Sequence, residues 1–366
     1  MISFREPASP CPRGNRQIRK GRGHGPKARV PAPVTVFAAL TVAIVLFQAG
    51  PMNAQSLACP RLEKWVEGCE HGRTVYVPVT TPVTAQTQTV RDDLGRPFVL
   101  PASTPARIIS MAPNVTEILF ALGLGPNVVG VTRFCDFPPE ALARPKIGGL
   151  VDPNIEIIQS LRPDLIVAFR GNPLRILDRL ADLKLPVFIL DIGNGLDALY
   201  PLIERIGMIT CRTKEAATLA ESLWAKQKAV ETALGTVAAR PRVFVFLYGQ
   251  GLWTCGGQSY LNDLILRAGA VNIAAQLPKK WALYGRERIV RDNPDAVFVL
   301  AKSSAEFEKA RRWLVGEARL GSIAAVASGR VFFLDENATS RFGPRLVEVL
   351  GSMARALHPE RFGGRP

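Results

Sequence analysis

The stretch Glu156-Ile-Ile-Gln-Ser-Leu-Arg-Pro163-Asp164-Leu-Ile-Val167 reads as a short helix opened by an acidic residue, a Pro-Asp turn and an apolar strand. Proline cannot continue a helix, and aspartate suits the turn that follows. The same order recurs in Glu287-Arg-Ile-Val-Arg-Asp-Asn-Pro294-Asp295-Ala-Val-Phe298, with the glutamate again seven residues before the proline. A single Pro-Asp turn is common. Two with the same flanks at corresponding places predict a molecule of two similar halves.

Working outward, each half alternates strands with helices, the pattern of a parallel sheet. In the first, Ile108-Ile109 opens a strand and Asn114–Leu122 reads as a helix stopped by Gly123; Val128–Val131, Leu165–Ala168 and Val187–Leu190 read as strands. A second α/β half begins at Arg242-Val-Phe-Val-Phe-Leu247. Between them Ala216, Leu219, Ala220, Leu223, Val230 and Leu234 recur at helical spacing, with Thr213 as the expected N-cap and Gly235 as the stop. Such a rod of roughly 22 residues is about 33 Å long. Residues 55–104 read as a β-rich lead-in, with strands at Val75–Val79, Thr87–Val90 and Phe98–Leu100 and a turn at Asp92-Asp-Leu-Gly-Arg96. The expected fold class is therefore α/β: two Rossmann-like lobes, at 105–212 and 236–366, joined by one long α-helix at 213–235, behind the lead-in at 55–104.

The chain has 366 residues and a formal charge of +15, which alone would suggest a nucleic-acid binder. That charge is unevenly spread. Residues 1–33 hold eight lysines and arginines against Glu6 alone, a net +7, which leaves +8 on the other 333 residues. No Lys/Arg run lies beside aromatics in the body, so nucleic acid is not an expected partner. After the basic stretch, Val34–Phe47 is uncharged over fourteen residues. That is short of the ~20 needed to span a bilayer and suits the core of a signal peptide covering 1–54, cleaved near Ala54. An uncleaved anchor, or a lipid-bearing Cys59, is the alternative. Export leaves Cys59, Cys69, Cys135, Cys211 and Cys255 in an oxidising compartment. Cys59 and Cys69 close a short loop and are the first pair expected; the odd number leaves at least one thiol free.

These features resemble the periplasmic substrate-binding proteins of ABC importers, in the subgroup with a rigid helix between lobes that takes cobalamin, ferric siderophores, haem and some metal ions. The resemblance covers about residues 85–364. It is carried by Asp92–Arg96, Arg107-Ile-Ile-Ser-Met-Ala-Pro-Asn-Val-Thr-Glu-Ile-Leu-Phe-Ala-Leu-Gly123, Val129–Thr132 with Cys135-Asp-Phe-Pro138, Pro163–Val167, Trp253-Thr-Cys-Gly256 and Gly343-Pro-Arg345. Cobalamin-binding members look most alike. The resemblance implies a monomeric periplasmic receptor with no catalytic cofactor, whose ligand is cobalamin or a ferric chelate. It implies that Glu156 and Glu287 dock onto the two permease subunits, one from each lobe. It places the ligand between the lobes, against Phe134, Leu150, Phe169, Trp253 and Trp281, whose aromatic faces suit a corrin or a catecholate. Leu150 stands where an aromatic is usual, and Asn337-Ala338 where an acidic residue and a tryptophan are usual. Arg133, Arg170 and Arg341 near that cleft would suit an anionic ferric siderophore.

Three histidines, His24, His71 and His358, do not make a Zn or Mn site. Haem remains open, with Tyr248, Tyr260 or Tyr284 as axial ligand. The chain contains neither a Gly-x-x-x-x-Gly-Lys phosphate loop nor a Gly-x-Ser-x-Gly elbow. No enzyme is therefore expected, and an exported α/β hydrolase is the reading from another class.

Overall fold

The computed structural model describes residues 88–249 and 251–363, together with the backbone of two earlier strands, β1 (Trp65–Glu70) and β2 (Arg73–Pro78). The expected signal segment and the Cys59–Cys69 pair lie outside the described side chains. β1 and β2 form an antiparallel hairpin. A second short hairpin, β3 (Thr89–Arg91) and β4 (Pro97–Val99), flanks the expected turn. There Asp92 accepts the backbone amides of Leu94 and Arg96 at 2.9 and 2.8 Å. Asp93 pairs with Arg205 at 2.5 Å, which fastens the hairpin to the first lobe.

The first lobe runs β5 (Ile108–Ser110), α1 (Pro113–Ala121), β6 (Val128–Val131), α2 (Ile155–Ser160), β7 (Leu165–Phe169), α3 (Leu174–Asp182), β8 (Val187–Leu190) and α4 (Leu199–Ile209). Its sheet has the order β6-β5-β7-β8, all parallel. α5 (Thr213–Leu234) is the expected long helix. The second lobe runs β9 (Arg242–Leu247), β10 (Trp253–Cys255), α6 (Tyr260–Arg267), β11 (Val271–Asn272), β12 (Trp281–Leu283), α7 (Arg286–Asp292), β13 (Ala296–Ala301), α8 (Ser304–Gly316), α9 (Ala324–Ala327), β14 (Val331–Asp335), α10 (Glu336–Ser340) and α11 (Leu346–Leu357). Its parallel sheet has the order β11-β9-β13-β14. In each lobe the strand met second in sequence lies outside the first, and the third and fourth follow on the other side. The two sheets share one topology, as the repeated segment implies.

The structure explains the repeat atom by atom. Asp164 accepts the amides of Ala106 and Arg107 at 2.8 and 2.9 Å, and its own amide returns to the Arg107 carbonyl at 3.0 Å. Asp295 accepts the Arg242 amide at 2.7 Å and returns to the Arg242 carbonyl at 2.7 Å. Each Pro-Asp turn thus latches the third strand of its sheet to the start of the first. The residue before each proline is left-handed, Arg162 at φ 44° and Asn293 at φ 37°, so the preceding helix stops there.

The cap of α5 differs from expectation. Thr213 is its first helical residue, and Arg212 holds the cap position without a side-chain cap hydrogen bond. Only Thr210, Cys211 and Arg212 separate α5 from α4, so the tight reversal sets the entry, with Cys211 at φ 56°. Arg212 instead pairs with Glu215 in the first turn at 2.9 Å. Gly235, at φ 56°, ends the helix as expected. Ala216, Ala220, Leu223 and Leu234 of α5 join a buried cluster containing Ile203 and Ile206 of α4, Val243 of β9 and Leu350 of α11. One continuous core therefore runs through the first lobe, the long helix and the second lobe. Cys135 and Cys255 are free and buried, and Cys211 is disulfide-bonded. Among the described residues no helix is long and apolar enough to cross a membrane.

Candidate functional site

In parallel sheets the chain turns outward at the carboxyl ends of the strands, where ligands usually sit. After β6 that edge carries Arg133 and Phe134, after β7 Arg170, and after β8 Asp191. In the second lobe β10 and β12 rise beyond the edges of β9 and β11 and pair antiparallel, Trp253 opposite Leu283 and Cys255 opposite Trp281. Period-two alternation puts Trp253 and Trp281 diagonally on one face. They line a cavity of about 350 Å³ with Leu277, Pro278 and Lys279. Gly256 and Gly257 permit this packing, because a Cβ there would stand 2.3 Å from the Lys279 carbonyl and 2.1 Å from the Ala275 carbonyl. Trp253 is 38% exposed, while Trp281 is half-buried against the core.

In the first lobe Phe134 is 46% exposed, with the Arg133 guanidinium 5.3 Å from its ring centre. Phe169 is half-buried, and its backbone amide donates to Asn172 Oδ1 at 3.0 Å. The buried Asn172 donates in turn to the carbonyls of Met111 and Leu150 at 3.2 and 3.0 Å, so one amide side chain ties Phe169 to Leu150.

The three arginines all have carboxylate partners. Arg133 donates to both oxygens of Asp152 at 2.9 and 2.8 Å. Arg170 pairs with Asp191 at 3.0 Å; burial works against the Asp191 charge, but the Arg170 hydrogen bond and backbone amides hold its carboxyl below the ordinary range. Arg341 bonds Asp136 through Nη1 and the Phe134 carbonyl through Nη2 at 2.9 Å, which reaches from the second lobe to the first.

Beside Arg341 lies a second bridge between lobes. Glu117 of α1 accepts from Arg345 Nε at 3.0 Å and Nη2 at 2.5 Å, and Arg341 Nη1 is 3.6 Å away. The Glu117 side chain is 2% exposed. Burial pushes its carboxyl above the ordinary range, while the two arginines pull it back. The Arg345 guanidinium also stacks over the Phe137 ring at 4.0 Å. A third tie joins both lobes to α5. Arg267 of α6 reaches Asp197 at 2.8 Å, Glu231 at 3.0 Å and Asp263 at 2.9 Å, and Asp263 accepts the Leu196 amide at 2.8 Å.

Glu156 occupies the first turn of α2, whose start is capped by Asn154 through the Ile157 amide at 3.0 Å. Glu287 occupies the matching turn of α7 and pairs with Arg319 at 2.9 Å on the surface. Two of the tyrosines weighed as haem ligands are buried with engaged hydroxyls: Tyr260 donates to the Thr339 carbonyl at 3.0 Å and Tyr284 to the Asp292 carboxylate, with the Ile273 carbonyl 3.1 Å away. Tyr248 is half-buried. Among the described residues no three His, Cys, Asp or Glu side chains converge to hold a metal ion.

Sequence reasoning gave no role to Glu117, Asp136, Asn172 or Arg345. Three of them stand inside the motifs quoted above, Glu117 in Arg107–Gly123, Asp136 in Cys135–Pro138 and Arg345 in Gly343–Arg345, so a pairing of opposite charges between those motifs was the available signal.

The sequence profile of the periplasmic binding protein family matches residues 108–338. A vitamin B12-binding protein of Pectobacterium carotovorum is 32% identical over 270 residues, 70% of this chain and 90% of that protein. An uncharacterized ABC transporter substrate-binding lipoprotein of Bacillus subtilis is 30% identical over 278 residues, 74% of this chain and 86% of its own length. The apo structure of a periplasmic heme-binding protein from Roseiflexus sp. RS-1 superimposes with a TM-score of 0.64 at 25% identity, covering 70% of this chain and 98% of that one.

Proposed function

Because the chain belongs to the periplasmic binding protein family, we propose that it is an exported receptor that captures a large chelate of the cobalamin class and delivers it to an ABC importer. Relatives named as a vitamin B12-binding protein and as a substrate-binding lipoprotein support export and an importer partner. The leader would be 1–54, cleaved near Ala54. Binding alone is the activity, with no turnover.

The observation that carries the ligand class is the pairing of Arg133, Arg170 and Arg341 with Asp152, Asp191 and Asp136. A polyanionic ferric siderophore needs uncompensated guanidinium groups. Here each is already neutralised, whereas Trp253 and Trp281 offer broad apolar faces to an uncharged or zwitterionic macrocycle. Haem is the second reading, on the strength of the haem-binding neighbour. Against it, the hydroxyls of Tyr260 and Tyr284 are already engaged, by the Thr339 carbonyl and the Asp292 carboxylate.

Glu156 and Glu287, one per lobe at the same offset, serve as the docking charges, Glu287 by exchanging its solvent-exposed partner Arg319 for a permease cation. Paired charges on a rigid body set orientation and encounter rate more than affinity. The shared core and the ties through Glu117 and Arg267 limit the lobes to a small hinge motion. Reversing both charges, Glu156→Lys with Glu287→Lys, is expected to abolish cobalamin uptake by cells while leaving the affinity of the purified protein unchanged. A double variant that transports normally, or that loses affinity, overturns the docking role.

A further inference from the structure

The Arg341–Asp136 bridge is lopsided. The Arg341 side chain is 11% exposed and that of Asp136 40% exposed, so at this point of the cleft solvent meets the carboxylate rather than the guanidinium. The arginine is fully occupied on its outer nitrogens. Nη1 faces Asp136 and Glu117, and Nη2 donates to the Phe134 carbonyl at 2.9 Å and to Asn337 Oδ1 at 3.0 Å. The carboxylate is held as firmly, since Asn337 Nδ2 donates to its second oxygen at 3.2 Å. Phe134, one of the exposed aromatics of the first lobe, lies two residues away and takes part through its carbonyl.

We infer that Asp136 is a selectivity residue, which cancels Arg341 across the gap between lobes and presents its own negative charge to reject anionic chelates. The inference rests on the cleft reading above and deepens it. Specificity often comes from a repulsive element set against the wrong partner rather than from added attraction to the right one. The cleft arginines alone would invite a tris-catecholate or a carboxylate-rich ferric complex. Asp136 turns the most deeply held of them from an attractor into a neutral strut. A like charge facing an incoming anion then adds a penalty that a net-neutral corrin does not meet.

Asp136→Asn tests this, because the amide keeps the shape and an acceptor for Arg341 while removing the charge. The probes are cyanocobalamin and a ferric tris-catecholate trianion, titrated against the wild type, Asp136→Asn, Asp136→Ser and the double variant Asp136→Asn with Arg341→Ala. The readout is the ratio of the two dissociation constants. In both single variants it is expected to shift at least tenfold toward the trianion, about 1.4 kcal/mol. That gain should shrink as salt is raised, since the 40% exposed position 136 leaves the approach of the trianion open to screening ions. It should vanish in the double variant, where the released cation is gone. An unchanged ratio in correctly folded single variants, in a protein whose wild type prefers cobalamin, overturns the role of Asp136 and leaves the receptor reading standing. A wild type that already prefers the trianion overturns the ligand reading itself, and the inference with it.

Discussion

Replacing Glu117 by alanine is expected to lower the free energy of unfolding by about 3 kcal/mol, the cost of breaking a buried pair by deleting one partner. The effect is large because two cations lose one counter-charge together. Arg345 gives Glu117 two hydrogen bonds, at 3.0 and 2.5 Å, and Arg341 lies 3.6 Å away. Without the carboxylate these guanidinium groups face each other at the junction of the lobes, with Asp136 and Asp335 as their remaining partners. Glu117→Gln, which keeps an acceptor but not the charge, should lose less. Urea denaturation followed by circular dichroism measures both. A loss below about 1 kcal/mol for the alanine variant would place the bridge among solvated surface pairs.

The second large effect falls on the ligand. Trp281→Ala and Trp253→Ala are each expected to weaken cobalamin binding by about 2 to 3 kcal/mol, roughly 30- to 150-fold, as truncation of a buried aromatic anchor does. The two rings share one face of the β10–β12 pair and one cavity. Trp281 is half-buried and packs against the core, so Trp281→Phe separates lost ligand contact from lost packing. The phenylalanine variant should retain most of the affinity. Wild-type affinity in both alanine variants would put the cargo elsewhere in the molecule.

Much of this arrangement was legible from local pattern. Val128–Val131, Val187–Leu190 and Arg242–Leu247 are strands at the expected bounds, because short apolar runs between turns leave few other options. The body of α5 was legible from its apolar spacing, and Gly235 marked its end. The paired segments at Glu156 and Glu287 anticipated two sheets of one topology, and the mutual latches of Asp164 and Asp295 are the physical reason the segment repeats. What escaped was non-local. β10 and β12 are separated by α6 and β11, so their pairing leaves no hairpin signal. β1, Trp65-Val-Glu-Gly-Cys-Glu70, interrupts its apolar positions with Gly68 and Glu70 and does not read as a strand.

The charges show the same limit. Arg170 and Arg341 read as cationic side chains free to meet a ligand, yet each finds a carboxylate. Arg170 is 21 residues from Asp191, and Arg341 is 205 residues from Asp136. Arg345 and Glu117 are 228 residues apart. Sequence spacing carries no information about such pairs, and only the folded juxtaposition of the lobes reveals that the arginines are already balanced. Thr213 shows the limit at short range, because a good capping residue was displaced by the three-residue reversal out of α4.

The cargo is tested most directly by a tryptophan-fluorescence titration of the purified protein with cyanocobalamin, run beside a ferric siderophore and haemin. Saturable quenching by cyanocobalamin is expected at or below roughly micromolar concentration, about 8 kcal/mol of binding free energy, with weaker binding of the other two. Tight quenching by the ferric chelate or by haemin, with no response to cyanocobalamin, would contradict a cobalamin receptor.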